Sequence, residues 1–210
     1  MKHLPNLLTI LRLVLSLAMF AALAAIGAGL SGQGVGGDGA AWLARFAACA
    51  FVIAAVTDFF DGWLARRWGV VSVMGAILDP IADKILVCGA ILGLLAIGAP
   101  GVLIPGALIL FREFAVSALR EVLAPRGLIL PVTFLAKAKT TLQLAALGAI
   151  MILMVWPVWR IDARIDHLHT ALDAALMLFD IAAAVTLWTG FEYGRAAWRA
   201  LKGASFDTAA

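Results

Sequence analysis

Six apolar runs alternate with short polar punctuation along this chain, at about 7–27, 40–66, 72–98, 102–124, 132–156 and 170–194. Runs of about 20 apolar residues, rising 1.5 Å per residue in a helix, span the roughly 30 Å hydrocarbon core of a bilayer. Backbone polar groups inside lipid must be satisfied within the segment, so the pattern predicts six transmembrane α-helices around whatever polar interior the sequence supplies. The connecting segments are too short for an appended soluble domain, which makes residues 1–210 one all-α integral membrane domain. The first run carries Arg12 and lacks a small-residue cleavage site, so it is expected to be retained rather than removed as a signal peptide.

The polar residues that break the apolar pattern are few, and their placement is specific. Asn6, Thr9 and Arg12 recur at three-residue intervals on one side of the first helix. Two readings of that face stand: an interfacial amphipathic start with a snorkelling arginine, or a wall of a polar cavity. Residues 27–40 form a Gly-rich external linker with no phosphate-loop pattern. In the fourth run Glu113, Ser117 and Arg120 share a face, with Arg112 beside them. Arginine at this depth requires either an acidic structural partner, which Glu113 could be, or a wet cavity. In the fifth run Lys137, Thr140 and Thr141 share a face with Thr133, while Lys139 points about 160° away at 100° per residue. That spacing sends Lys137 toward a cavity and Lys139 toward lipid headgroups. The segment 156–169 reads as external and interfacial, so His167 and His169 are not taken as metal ligands.

Composition agrees with the pattern: the chain is 64% apolar and 14% charged, against roughly 45–50% and about 25% in soluble domains. Charge distribution adds an orientation. With the N-terminus inside, every Lys and Arg except Arg45, Arg160 and Arg164 falls on the inner ends and loops or inside helices, which puts both termini in the cytoplasm. Cys49 and Cys88 lie within apolar runs and are expected to be packing residues. Nothing in the pattern calls for nucleic acid.

The chemistry concentrates between residues 58 and 83. Asp58 and Asp61 stand at i and i+3, Asp79 and Asp83 at i and i+4, so each pair shares a helical face. Two such faces turned together would gather four carboxylates, which cannot all stay ionised in a poorly hydrated place without a cation among them. An all-oxygen donor set suits a hard divalent ion, magnesium or manganese, and two ions are expected. Gly62 and Ala65 remove bulk beside the cluster, and Arg66, about one turn beyond Asp61, is within reach of a phosphate.

The spacing Asp58-x2-Asp61-Gly62-x2-Ala65-Arg66-x8-Gly75-x3-Asp79-x3-Asp83 resembles the signature of the CDP-alcohol phosphatidyltransferase family at every specified position. PNLLTILR, REFAVSALRE and AKAKTT extend the likeness toward the bacterial branch that forms phosphatidylglycerophosphate. The resemblance implies transfer of a phosphatidyl group from CDP-diacylglycerol to glycerol 3-phosphate, at the cytoplasmic side of a bacterial inner membrane, by a homodimer. It implies metal ions on Asp58, Asp61, Asp79 and Asp83, with Asp83 also as base, and Gly62, Ala65, Arg66 and Gly75 around the cytidine and phosphates. The acceptor phosphate would then fall to Arg112, Arg120, Lys137 and Lys139, with Lys139 ranked last on helical geometry. Related acceptors such as inositol phosphate or phosphatidylglycerol fit the same signature. A cation-coupled transporter fits poorly, because the carboxylates gather near one face instead of spreading through the membrane.

Overall fold

The computed structural model describes residues 4–29, 37–68, 73–126, 134–159 and 165–207. They form six α-helices, α1 (Leu4–Gly27), α2 (Asp38–Trp68), α3 (Val73–Ala96), α4 (Leu103–Leu123), α5 (Phe134–Met154) and α6 (Ile165–Asp207), with 3₁₀ turns at Ala124–Arg126 and Trp156–Trp159. No strand occurs among the described residues. Each helix falls on one of the six apolar runs. Asn6–Gly27, Asp38–Asp58 and His167–Arg199 are long and apolar enough to cross a membrane unaided, and Ala138–Met154 is a shorter apolar stretch. Helices α3 and α4, at 24 and 21 residues, have the length but carry interrupting charge. Helix α6 departs most from expectation: it begins before residue 170 and continues well past 194 to Asp207. At 43 residues it is roughly 64 Å long, about twice a hydrocarbon core.

Each helix faces lipid on one side and protein on the other. Phe111 is 75% exposed while its neighbour Arg112 is 7% exposed, and the same inversion separates Leu11 from the fully buried Arg12. Large apolar side chains such as Ile104, Phe114, Met177 and Trp188 point outward, as a lipid solvent requires. Cys49 lies on an outward face and Cys88 is half-buried; both are free thiols. The interior of α2 is lined by alanine (Ala47, Ala50 and Ala54 are buried), which lets α1 lie close along it.

The helices group in two sets of three. Helix α1 packs along α2 and α3, and α6 packs along α4 and α5. Lighter contacts of α3 with α4 and of α5 with α2 and α3 join the sets. The α3–α4 turn is closed by a Schellman arrangement: Gly98 N–H bonds to the Leu95 carbonyl at 3.0 Å, and Ala99 N–H to that of Leu94 at 2.9 Å. Gly98 adopts φ 73°, a left-handed conformation that glycine takes without strain.

Gly27 sits so close to α3 that a Cβ there would lie 2.1 Å from the Ala96 carbonyl oxygen, a backbone atom that cannot step aside. A Cβ on Gly194, in contrast, would meet nothing within 4 Å. Gly27→Ala should therefore destabilise the fold by about 1–3 kcal/mol, and Gly194→Ala should be neutral or stabilise it by up to about 1 kcal/mol. Thermal unfolding in detergent checks both; equal shifts would contradict the close approach of α1 to α3.

Candidate active site

Arg12 of α1 is the hub of the first polar cluster. Its Nη1 lies 2.6 Å from Asp58 Oδ1 on α2 and 2.5 Å from Asp83 Oδ1 on α3. One turn earlier, Thr9 donates to Asp79 Oδ1 at 2.5 Å, and one turn later Ser16 donates to the Arg12 carbonyl at 2.7 Å. Thr9, Arg12 and Ser16 are all buried. The structure corrects the snorkelling arginine: the α1 polar face is turned inward onto the aspartates. Its physical reason is proximity: three carboxylates from two helices meet this face, and a guanidinium can hydrogen-bond two of them at once.

Asp58, Asp79 and Asp83 are thus drawn together by α1, as the signature spacing anticipated, and Gly75 is buried one turn before Asp79. Asp61, Gly62, Ala65 and Arg66 belong to the last turns of α2 and Lys137 to the first turn of α5, and their side-chain surroundings lie outside the described residues. No group of three or more His, Cys, Asp or Glu among the described residues forms a ready-made metal cage. Asp58 and Asp83 converge on the Arg12 guanidinium, which is the cation among them in this structure; by donor type alone, carboxylate oxygens suit a hard divalent ion.

From Asp83 a cavity of about 550 Å³ opens between α3, α4 and α5. Asp83 and Lys84 line one wall; Arg112, Glu113, Arg120 and Lys139 line the others. Arg112 is fixed from two sides, with Nη2 donating to Thr189 Oγ1 at 3.0 Å and Nη1 lying 3.3 Å from Glu113 Oε1. Gly190 makes the first of these possible, since a Cβ there would lie 2.7 Å from Arg112 Cγ. Arg120 donates to the Tyr193 hydroxyl at 2.9 Å and stacks over its ring, with the guanidinium carbon 5.0 Å from the centroid. Lys139 donates to Glu113 Oε1.

The position of Lys139 corrects the helical-wheel expectation. It is 5% exposed and lines the cavity instead of reaching lipid headgroups. A wheel gives angles within α5 but not which side of α5 meets α4, and Glu113 on that neighbour is what draws Lys139 inward. Thr140 accompanies it into the cavity, while Thr141 faces a different space. That second space is a groove of about 680 Å³ between α2 and α5, apolar along Phe51, Val56, Leu144 and Ile152 and carrying Asp58 in its wall. His167 and His169 are exposed near the start of α6, at the far end of that helix from Tyr193.

The contribution of α6 went unnoticed in the sequence. Thr186, Thr189 and Tyr193 recur at three- and four-residue steps within an apolar run and are all buried. Thr186 accepts from Gln143 Nε2 at 2.7 Å, so this stripe orders both α4 and α5 side chains of the cavity. The helical spacing of hydroxyls around the chain's single tyrosine was the available signal.

The chain belongs to the CDP-alcohol phosphatidyltransferase family, whose model matches residues 2–188. Among its relatives is the CDP-diacylglycerol–glycerol-3-phosphate 3-phosphatidyltransferase of Escherichia coli K12, 40% identical over 159 residues, or 74% of this chain and 80% of the relative. The protein of the same name from Salmonella typhimurium LT2 is 39% identical over 160 residues, 75% of this chain and 81% of the relative.

Replacing Arg12 should leave buried carboxylates without their cation. Arg12→Gln is expected to cost about 3 kcal/mol, toward the low end for a broken buried pair because Asp58 and Asp83 are 31% and 42% exposed. The loss should be much smaller in an Asp58→Asn background, where one carboxylate is already neutral. Additive losses in that double-mutant cycle, read by thermal unfolding in detergent, would remove Arg12 from the hub.

Proposed function

We propose that this chain transfers a phosphatidyl group from CDP-diacylglycerol to glycerol 3-phosphate, forming phosphatidylglycerophosphate and releasing CMP. The observation that carries this reading is the shared cavity: Asp83 lines it together with Arg112, Arg120 and Lys139, so a carboxylate and fixed cations face the same space. Glycerol 3-phosphate has a hydroxyl for the first and a phosphate dianion for the second. The relatives' printed name supplies the same pair of substrates.

Asp83 takes the proton from the acceptor hydroxyl as its oxygen attacks the phosphorus that bears the diacylglycerol. A new P–O bond forms, the bond to CMP breaks, and CMP leaves with the electron pair. Asp58, Asp61, Asp79 and Asp83 would hold the divalent ions, magnesium or manganese, whose charge would offset that of the pyrophosphate and of the departing CMP. Gly62, Ala65, Arg66 and Gly75 surround the cytidine and its phosphates. Arg112, Arg120, Lys137 and Lys139 serve the acceptor phosphate, with Arg120 braced by Tyr193 and Arg112 by Thr189. The donor's acyl chains suit the apolar groove between α2 and α5, whose wall includes Asp58.

This reading sets the protein in a bacterial inner membrane as a homodimer, with the cavity and both termini at the cytoplasmic face where the soluble acceptor arrives. The uneven spread of Lys and Arg supports that orientation.

Purified protein in detergent with CDP-diacylglycerol and magnesium should release CMP with glycerol 3-phosphate and not with inositol phosphate, serine or phosphatidylglycerol. Release with a different acceptor alone would keep the metal chemistry and discard this substrate. Arg120→Ala should raise KM for glycerol 3-phosphate by about tenfold or more, the worth of one charge-assisted contact, with KM for the donor little changed. The opposite split would move Arg120 to the donor side. Asp83→Asn should lower kcat by at least about a hundredfold while the protein stays folded; near-normal turnover would end its assignment as base.

A further inference from the structure

Of the two carboxylates lining the cavity among the described residues, Asp83 has a part in the transfer and Glu113 has none. Glu113 is nonetheless the better enclosed, with a side chain 17% exposed against 42% for Asp83. Its Oε1 is shared by two cations from two helices: the Lys139 ammonium of α5 donates to it, and Arg112 Nη1 of α4 lies 3.3 Å away. Both cations have side chains only 6% exposed. In so poorly hydrated a place the ammonium and guanidinium repel each other, and an anion between them offsets that repulsion.

The cavity's charge has a second consequence. Among the described residues its lining holds four cations, Lys84, Arg112, Arg120 and Lys139, against two carboxylates, Asp83 and Glu113. Positive charge is in excess there, and without Glu113 that excess would grow by one.

We infer that Glu113 is a positioning residue for the acceptor: it ties Lys139 beside Arg112 and offsets one positive charge of the cavity that receives the acceptor's phosphate. The inference rests on the acceptor reading given above. Glu113 touches no reacting atom and acts through Lys139 and Arg112. Neutralising it overcharges the cavity, so phosphate anions bind more tightly. The product, itself a phosphomonoester, then leaves more slowly.

Inorganic phosphate, titrated as a competitor of glycerol 3-phosphate with the full chain in detergent, tests this. Glu113→Gln should lower both the inhibition constant of phosphate and KM for glycerol 3-phosphate by about tenfold, as expected for one added charge in a poorly hydrated site. It should lower kcat as well and leave KM for CDP-diacylglycerol unaltered. Glu113→Asp, which keeps the charge, should restore the phosphate constant. In a Lys139→Gln background, where the ion pair is absent, adding Glu113→Gln should still tighten phosphate relative to Lys139→Gln alone. An unchanged or raised phosphate constant in Glu113→Gln would overturn the inference. Should that single variant fail to fold, the double variant is compared with Lys139→Gln alone: a lower phosphate constant in the double supports the inference, and an equal or higher one overturns it. Phosphate that does not compete with glycerol 3-phosphate in the unaltered protein overturns the acceptor site and this inference together. Competition that Glu113→Gln leaves unchanged overturns the inference alone.

Discussion

A guanidinium buried in the membrane needs polar partners of opposite charge, and among the described residues two carboxylates reach Arg12. Asp58 and Asp83 reach it from α2 and α3, so a single side chain of α1 fixes the mutual position of three helices. Dispersion between alanine-rich surfaces could hold these helices at many rotations and heights, because lipid is as apolar as the helices themselves. The ion pairs select one. Thr9 against Asp79 fixes the same register a turn away, so α1 is keyed to the aspartates at two heights. The polar face of α1 and the spacing of the aspartates answer one requirement.

The same requirement is met a second time across the seam, with the signs exchanged. On the α1–α2–α3 side a cation is surrounded by carboxylates; on the α4–α5–α6 side a carboxylate is surrounded by cations. Each cluster draws partners from different helices, and each leaves charge directed at the space between the halves. Within each half the close packing runs along α1 or α6, while the contacts between halves are sparser, and the cavity and the apolar groove both open there. A polar cavity in a membrane protein needs walls that are charged inside and apolar outside. Phe111 and Arg112, adjacent in sequence, show how one turn of α4 satisfies both.

Much of this was legible in the sequence, for reasons that also mark where legibility ends. The six apolar runs gave the helices because length and apolarity are properties of a segment alone. The aspartates could be singled out because four carboxylates in an apolar context have few explanations. Arg12 remained divided between two readings, since a snorkelling arginine and a cavity arginine differ only in their neighbours. Lys139 was misdirected for the same reason: its angle on α5 was right, but Glu113, 26 residues earlier on another helix, decided which side of α5 was the inside. Tyr193 and the threonines before it were passed over because hydroxyls within an apolar run also suit an ordinary helix surface. The overrun of α6 past residue 194 escaped because helix continues where apolarity stops.

The two openings at the seam differ in chemistry, and the aspartates border both. Asp58 stands in the wall of the apolar groove and Asp83 in the wall of the charged cavity, while Arg12 holds both at one point. A reaction between a lipid and a water-soluble phosphate needs this division, because neither partner can enter the other's medium without a large desolvation cost. Under the proposed function the acyl chains would lie against α2 and α5 and the acceptor in the space lined by charge. The bond would change hands where the two spaces meet. In that sense the catalytic problem and the folding problem would have one solution: the residues that make the helix seam bearable in a membrane would also be those that bring two immiscible substrates to one phosphorus atom.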